Sequence, residues 1–287
     1  MRDFALEGAF WRKMARWGAR GPRWFAQHAP PVVGVAVCAF FPEFRRVIAA
    51  NLRMVKGPRG ALQETLDVAR VFATYAACVS EVLEGDDDTH PIEVTVEGGE
   101  HVETARAGGR GVVLVTAHTA GWEAVGHAFR RNRGLPILVA TAMERDPEAR
   151  SIQEQARQAQ GLLLTHVGDD ALSALPLLAH LRKGGVAALQ IDRAPATAQS
   201  RNVQIFGQSF RLPEGPLRLA SLAGTPIVPV FAHRAGYRRY VVSVCRPVQV
   251  PRRAEDADMD TAAQTIANTL QDFLRKHPTQ WFPFRPH

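Results

Sequence analysis

Apolar and polar positions along the chain follow two regimes. Over residues 1 to about 85 the apolar positions recur at helical spacing. Phe4, Phe10, Met14 and Trp17 come first. A basic helix over about 43–56 carries Ala49-Ala50-Asn51-Leu52 and ends at Gly57-Pro58. A longer helix over about 61–84 has Leu62, Leu66, Ala69, Val71, Phe72, Tyr75 and Val79 as its stripe. Gly85-Asp86-Asp87-Asp88 then breaks the pattern and reads as a solvated acidic loop.

From about residue 92 the period changes. Strand-like runs at 92–96, 112–116, 137–141, 162–167, 186–191, 227–232 and 240–245 alternate with amphipathic segments at about 99–107, 122–132, 148–160, 170–183, 215–223 and 259–276. Several helices carry punctuation. Asp146 caps one, Pro147 takes its first position and Gly161 follows its end; Asp169 caps the next and Gly184-Gly185 stops it, with Leu172, Leu175, Leu178 and Leu181 as its stripe. Alternation of this kind predicts an α/β fold, a central and mostly parallel sheet flanked by helices. The helical residues 1–85 are expected to form an N-terminal cap or membrane-docking segment on an α/β domain over 86–287, the two making one compact unit.

Composition narrows the function. The 287 residues carry a net charge of +7, which favours acidic partners. The early cations Arg12, Lys13, Arg16, Arg20, Arg23, Arg45, Arg46, Arg53, Lys56 and Arg59 account for much of it. Signatures of nucleic-acid binding are missing, so an anionic membrane surface or an acidic carrier is the expected partner. Cys38, Cys78 and Cys245 are widely separated in apolar surroundings and read as buried free thiols, not as a disulfide framework or zinc site. The first strong apolar run, Val32 to Phe41, is about half the ~20 residues a spanning helix needs. Beside Trp11, Trp17, Trp24 and the cations it reads as an interfacial anchor or as a buried helix.

The chemistry concentrates where a strand ends. The run Val112–Thr116 is followed by His118, and Glu123 lies five residues on. Sites of open α/β sheets lie beyond the carboxyl ends of strands. On one helix, His118 and Glu123 would point apart by about 140°; Thr119-Ala120-Gly121 supplies the bend that lets them meet. Glu123 then falls in the first turn of the next helix, where its charge is favoured. There it can accept the proton of one imidazole nitrogen and leave the other as a base, with an acceptor hydroxyl standing where a triad has serine. Alone, such a pair is a weak signal. Asp192, ending a strand on the same side of the sheet, is a candidate site residue or a turn cap. Arg157 and Arg193 are candidates for phosphate contacts or for structural ion pairs, and Phe206-Gly207 for the acyl channel or for a plain turn. His127, His166, His180 and His233 lack metal-ligand spacing, and no metal is expected.

The chain from about Arg45 onward resembles, collinearly, the lipid A biosynthesis acyltransferases of the glycerolipid acyltransferase superfamily. The resemblance rests on Arg46–Leu52, the Gly108–Glu123 block with its H-x4-E, Arg157, Leu181–Val186 through Ile191-Asp192, Phe206-Gly207, Pro213–Pro216, Leu219-Ala220, Gly224–Pro229 and Gln280-Trp281. It implies an acyl thioester donor (acyl carrier protein or coenzyme A as co-substrate, no other cofactor) and a lipid or glycolipid hydroxyl acceptor. It further implies His118 as base, Glu123 as its orienting partner, a backbone oxyanion hole, and a peripheral or monotopic place on the cytoplasmic face of the bacterial inner membrane. Two segments depart from the family pattern: Arg193-Ala194-Pro195 after Asp192, and Phe282-Pro283-Phe284-Arg285 after the tryptophan. They leave the acceptor open. A thioesterase on the same apparatus, disfavoured by the lack of a G-x-S-x-G elbow, and a non-catalytic scaffold are the rival readings.

Overall fold

A computed structural model of the protein describes residues 13, 21–84, 91–122, 137–141, 147–148, 150–151, 154–155, 162–167, 171–194 and 198–284. Three helices come first: α1 (Arg23–Phe40), α2 (Pro42–Lys56) and α3 (Ala61–Glu84). Helix α1 absorbs Pro30-Pro31 and most of the apolar run, burying Ala26, Gly34, Val37 and Cys38. It lies so close to α3 that a Cβ on Gly34 would collide with the Phe72 carbonyl. The buried Asp67 of α3 ties it to α2 through Lys56 at 2.5 Å.

The remaining described elements are β1 (Glu93–Glu97), α4 (Glu100–Ala105), β2 (Val112–Thr116), β3 (Ile137–Thr141), β4 (Leu163–His166), α5 (Leu175–Arg182), β5 (Val186–Gln190), β6 (Ser200–Ile205), β7 (Gln208–Pro213), α6 (Gly215–Ala223), β8 (Ile227–Gly236), β9 (Arg239–Val244) and α7 (Asp256–Lys276). Seven strands form one sheet in the order β1-β9-β8-β2-β5-β3-β4. Among the described pairings of this sheet, only β8–β9 is antiparallel. Strand β2 is buried at all five positions, as a central parallel strand covered on both faces must be. One face packs Val113, Val115, Ala187, Ile191 and Phe231 against α5, α6 and α7. The other packs Val112, Leu114, Val139 and Val186 with Val102 and Ala105 of α4. The expected mostly parallel α/β sheet with N-terminal helices is therefore present.

Three expectations need correction. Residues 200–213 were not assigned to strands, yet they form the β6–β7 hairpin, whose turn is Phe206-Gly207, both at positive φ. Local turn chemistry marked the turn glycine, but the hairpin's anchor is long-range: Arg201 bonds Glu214, Asp256 and Asp260. Helix α7 begins three residues before the expected 259, because Glu255 and Asp258 form a capping box. In the segment expected to be one helix over 170–183, residues 171–174 are a 3-10 turn; Leu177 and Leu181 are buried, whereas Leu172 and Leu175 are exposed. The helix starts later than the leucine spacing suggested, so the stripe rotates away from them.

Candidate active site

Strands β2 and β5 are parallel neighbours, with Thr116 opposite Gln190. The pairing runs one residue further, the Ile191 N–H donating to the Thr116 carbonyl at 2.9 Å. His118 and Asp192 each lie two residues beyond the last paired positions. Both sit in bends just past their strands, at the same height beyond the paired ends. The register brings these two stretches of chain side by side, and the bends turn a histidine and a carboxylate toward each other.

Asp192 is fully buried. Its Oδ1 lies 2.7 Å from His118 Nδ1, and its Oδ2 accepts the His118 backbone N–H at 3.0 Å and the Trp281 indole Nε1–H at 2.8 Å. Burial by itself raises the Asp192 pKa. The His118 imidazole, the Arg193 charge and the Trp281 N–H outweigh it and hold the carboxyl well below the usual range. An ionised carboxylate can only accept, so Nδ1 carries a proton, and in the neutral imidazole the lone pair is on Nε2. The His118 side chain is 20% exposed, against none for Asp192: the base can be reached while its partner is sealed. The Trp122 ring stands 6.4 Å from the imidazole, centroid to centroid.

The loop between β2 and the next helix is held rigidly. Thr119 and Ala120 are fully buried. Gly121 supplies the expected bend at φ +83°, and a Cβ there would run into the Tyr240 ring. Trp122 is already helical. The C-terminal residues close over this loop. Gln280 accepts the Ala120 N–H at 2.8 Å, Thr119 bridges Trp281, and the Phe282 N–H donates to the His118 carbonyl at 2.8 Å.

Of the residues expected at the site, the structure unites His118, Asp192 and Arg193. The imidazole proton was assigned to Glu123 from the sequence; Asp192 stands at Nδ1, and Glu123 lies outside the described residues, as does Arg157. Arg193 donates from Nη2 to the Phe282 carbonyl at 2.7 Å. The two segments that depart from the family pattern thus meet each other. Phe206-Gly207 forms the hairpin tip against α7, where the Phe206 N–H donates to Gln271 Oε1 and Arg275 lies over the ring at 5.6 Å. Trp281 was noted in the sequence without a role; it is 2% exposed and completes the Asp192 shell. Cys38 and Cys78 are buried thiols, and Cys245 is half-buried, with burial pushing its thiol up to about 11. Among the described residues no group of three or more His, Cys, Asp or Glu side chains could hold a metal ion.

A partly exposed imidazole held by a fully buried carboxylate thus stands at the carboxyl end of a parallel sheet, where open α/β folds place their ligand sites. Residues 19–287 match the model of the bacterial lipid A biosynthesis acyltransferases, and the chain belongs to that family. Acyl transfer to a lipid or glycolipid is the activity this membership carries. Among curated proteins it is similar to the phosphatidylinositol mannoside acyltransferase of Mycobacterium tuberculosis, 23% identical over 99% of this chain and 83% of that protein. It is also similar to a lipid A biosynthesis acyltransferase of Haemophilus influenzae, 24% identical over 64% of this chain and 55% of that protein. The phosphatidylinositol mannoside acyltransferase of Mycolicibacterium smegmatis is 23% identical over 65% of this chain and 60% of its own.

Proposed function

We propose that the protein moves a fatty acyl chain from an acyl thioester, carried by acyl carrier protein or coenzyme A, to a hydroxyl of a glycolipid. His118 is the general base and Asp192 its orienting carboxylate. The acceptor hydroxyl gives its proton to Nε2 as its oxygen attacks the thioester carbonyl. The tetrahedral intermediate collapses with cleavage of the C–S bond, and the leaving thiolate takes that proton from Nε2. A base so placed contributes roughly two to four orders of magnitude. Glu123 is retained as a second carboxylate of the site, and Arg157, Arg193, Phe206 and Gly207 as substrate contacts. The observation that carries this reading is the 2.7 Å contact between Nδ1 and a fully buried carboxylate.

The acceptor we favour is a mannosylated phosphoinositide or another sugar lipid. The support is the match over nearly the whole chain to a relative named for that substrate. The test supplies purified protein with labelled acyl-coenzyme A or acyl carrier protein and, separately, a phosphatidylinositol mannoside and a lipid A precursor, followed by mass spectrometry of the lipids. A new ester that disappears in His118→Ala supports the reading. Free fatty acid with no ester, whichever acceptor is supplied, makes the protein a thioesterase, and an active His118→Ala removes the base. Lipid profiles of a deletion strain would show the missing acyl mass directly.

The protein would work on the cytoplasmic face of the inner membrane, held peripherally. Among the described residues no helix is long and apolar enough to cross a bilayer. Trp24, Val32 and Val35 are exposed and fall within about 80° of arc on α1. Phe40 at the end of α1 and Leu62 and Leu66 on α3 are exposed as well. Arg45 and Arg46 stand exposed at the start of α2. Rings and aliphatic side chains at headgroup depth with cations beside them are the means by which a monotopic helix binds anionic lipid. Trp11 and Trp17 of the expected anchor lie outside the described residues. Sedimentation with phosphatidylglycerol vesicles, reduced in Trp24→Ser/Phe40→Ser, checks this; equal sedimentation of the double variant would refute it.

A further inference from the structure

We propose that residues 278–284 are a positioning strap for the base and that Trp281 is the residue through which it acts. This rests on the reading of His118 and Asp192 given above. The strap touches the site from three sides. Its backbone is paired to the His118 loop on both sides of Trp281, through Gln280 to Ala120 and through Phe282 to His118. Its indole donates to Asp192 Oδ2 at 2.8 Å. Its Phe282 carbonyl accepts from Arg193, the residue following Asp192.

The strap is itself anchored away from the site. The Gln280 side chain is bonded in both directions to the Arg234 backbone, at 2.7 and 3.1 Å. The Arg234 guanidinium is bonded to the buried Glu81 of α3, as is the Tyr240 hydroxyl. Asn51 of α2, also buried, donates to the Pro283 carbonyl at 3.1 Å. Phe282 and Phe284 pack edge-on against Tyr75, and Phe284 against Phe44 and Phe72.

The consequence for Asp192 is specific. A carboxylate can rotate about its last bond. With Oδ2 gripped by two donors, the Trp281 indole and the His118 amide, only Oδ1 is left to face Nδ1. Loss of the indole donor frees that rotation and leaves a buried anion less well satisfied, so it attracts the protonated imidazole more strongly. The charged groups facing it are His118 and Arg193. A hydrogen bond to a charged group is worth about 1.5–3 kcal/mol, equivalent to roughly a 10- to 150-fold effect on rate if fully expressed in the transition state.

The test compares wild type with Trp281→Phe and with a protein carrying benzothienylalanine at 281, which keeps the bicyclic shape and lacks the N–H. The His118 ring is titrated by NMR in each, and kcat and KM are measured in the transfer assay. Both variants are expected to titrate His118 at higher pH than wild type and to lose roughly 10- to 100-fold in kcat with KM within twofold. The Trp281 indole resonance, identified by its loss in Trp281→Phe, is expected to move in Asp192→Asn. An unchanged His118 titration in the isosteric variant overturns the proposal even if Trp281→Phe is unstable. If the titration moves but His118→Gln still transfers acyl groups, the strap stands and the functional reading falls. If His118→Gln is inactive and neither Trp281 variant changes the titration or kcat, the reverse holds.

Discussion

Replacing Asp192 by asparagine exchanges one carboxylate oxygen for an amino group inside a closed shell of three donors. Two orientations are available. With the amide oxygen toward Nδ1, the amino group faces the His118 and Trp281 N–H groups, and two buried donors lose their acceptor. At about 1–3 kcal/mol each this orientation costs roughly 2–6 kcal/mol. With the amide reversed, its oxygen keeps both of those donors and its amino group donates to Nδ1. The imidazole must then carry its proton on Nε2, the position from which the base should act. The reversed form is cheaper, so Asp192→Asn is expected to stay folded with the wrong tautomer. In a serine-protease triad the same wrong tautomer lowers kcat about 10⁴-fold, near 5.5 kcal/mol. The expected outcome here is a loss of about 10³- to 10⁴-fold in ester formation from labelled acyl thioester, with a melting temperature near that of wild type. Glu123→Gln, measured beside it, is the control that matters. If Asp192→Asn keeps more than a tenth of the activity while Glu123→Gln is inactive, the orienting carboxylate is Glu123, and the argument from β2–β5 register is refuted.

Three further outcomes are expected. Glu81→Gln, which removes the charge partner of Arg234 in a buried cluster, should destabilise the fold by about 3 kcal/mol, read from urea denaturation; a change below ~0.5 kcal/mol would mean that water replaces the pair. Gly34→Val, placing a branched side chain where α1 meets the Phe72 carbonyl, should cost about 1–3 kcal/mol and expose α1 to proteolysis, whereas the exposed Val32→Ala should be neutral. The His233 and His277 rings stack at 3.8 Å. Burial lowers both pKa values from 6.5, that of His277 to about 4, where the charges of His233 and Lys276 add to the effect. Between about pH 6.5 and 4 the unfolded chain therefore binds protons that the folded chain refuses, so stability falls as pH drops through that window and is complete above it. His277→Asn should flatten this part of the stability profile, and an unchanged slope would count against the assignment.

How much of this could be read from residues alone differs by element. Helix α3, strands β2 and β3 and helix α6 have the bounds expected from the sequence, and three of them carry their own punctuation: Gly57-Pro58 before α3, Gly111 before β2, Gly224 after α6. The parallel sheet followed from the alternation of runs. What the sequence left open was strand order. His118 and Asp192 were both visible as residues just past strand ends, but their contact depends on β5 being the neighbour of β2, with Thr116 opposite Gln190. That adjacency is set by packing on both faces of the sheet and has no local signature. Glu123 was favoured because nearness in sequence is visible and nearness across a sheet is not. The β6–β7 hairpin was missed for a related reason: Val203 and Phe210 point into the core shared with α7, and the Arg201 anchor reaches residues more than fifty positions away. The strap was legible only as a tryptophan without a role and, at 282–285, a departure from the family pattern.

Asn51 and Pro283, 232 residues apart, are joined by a hydrogen bond, and the aromatic side chains around them draw α2, α3 and the far end of the chain into one cluster. Closing so long a loop carries an entropic cost that only an otherwise assembled molecule can offset. The imidazole and its carboxylate therefore acquire their final alignment late in folding. A chain clipped before residue 278 would still contain α1, α2 and α3 yet lose the contacts that align His118 with Asp192.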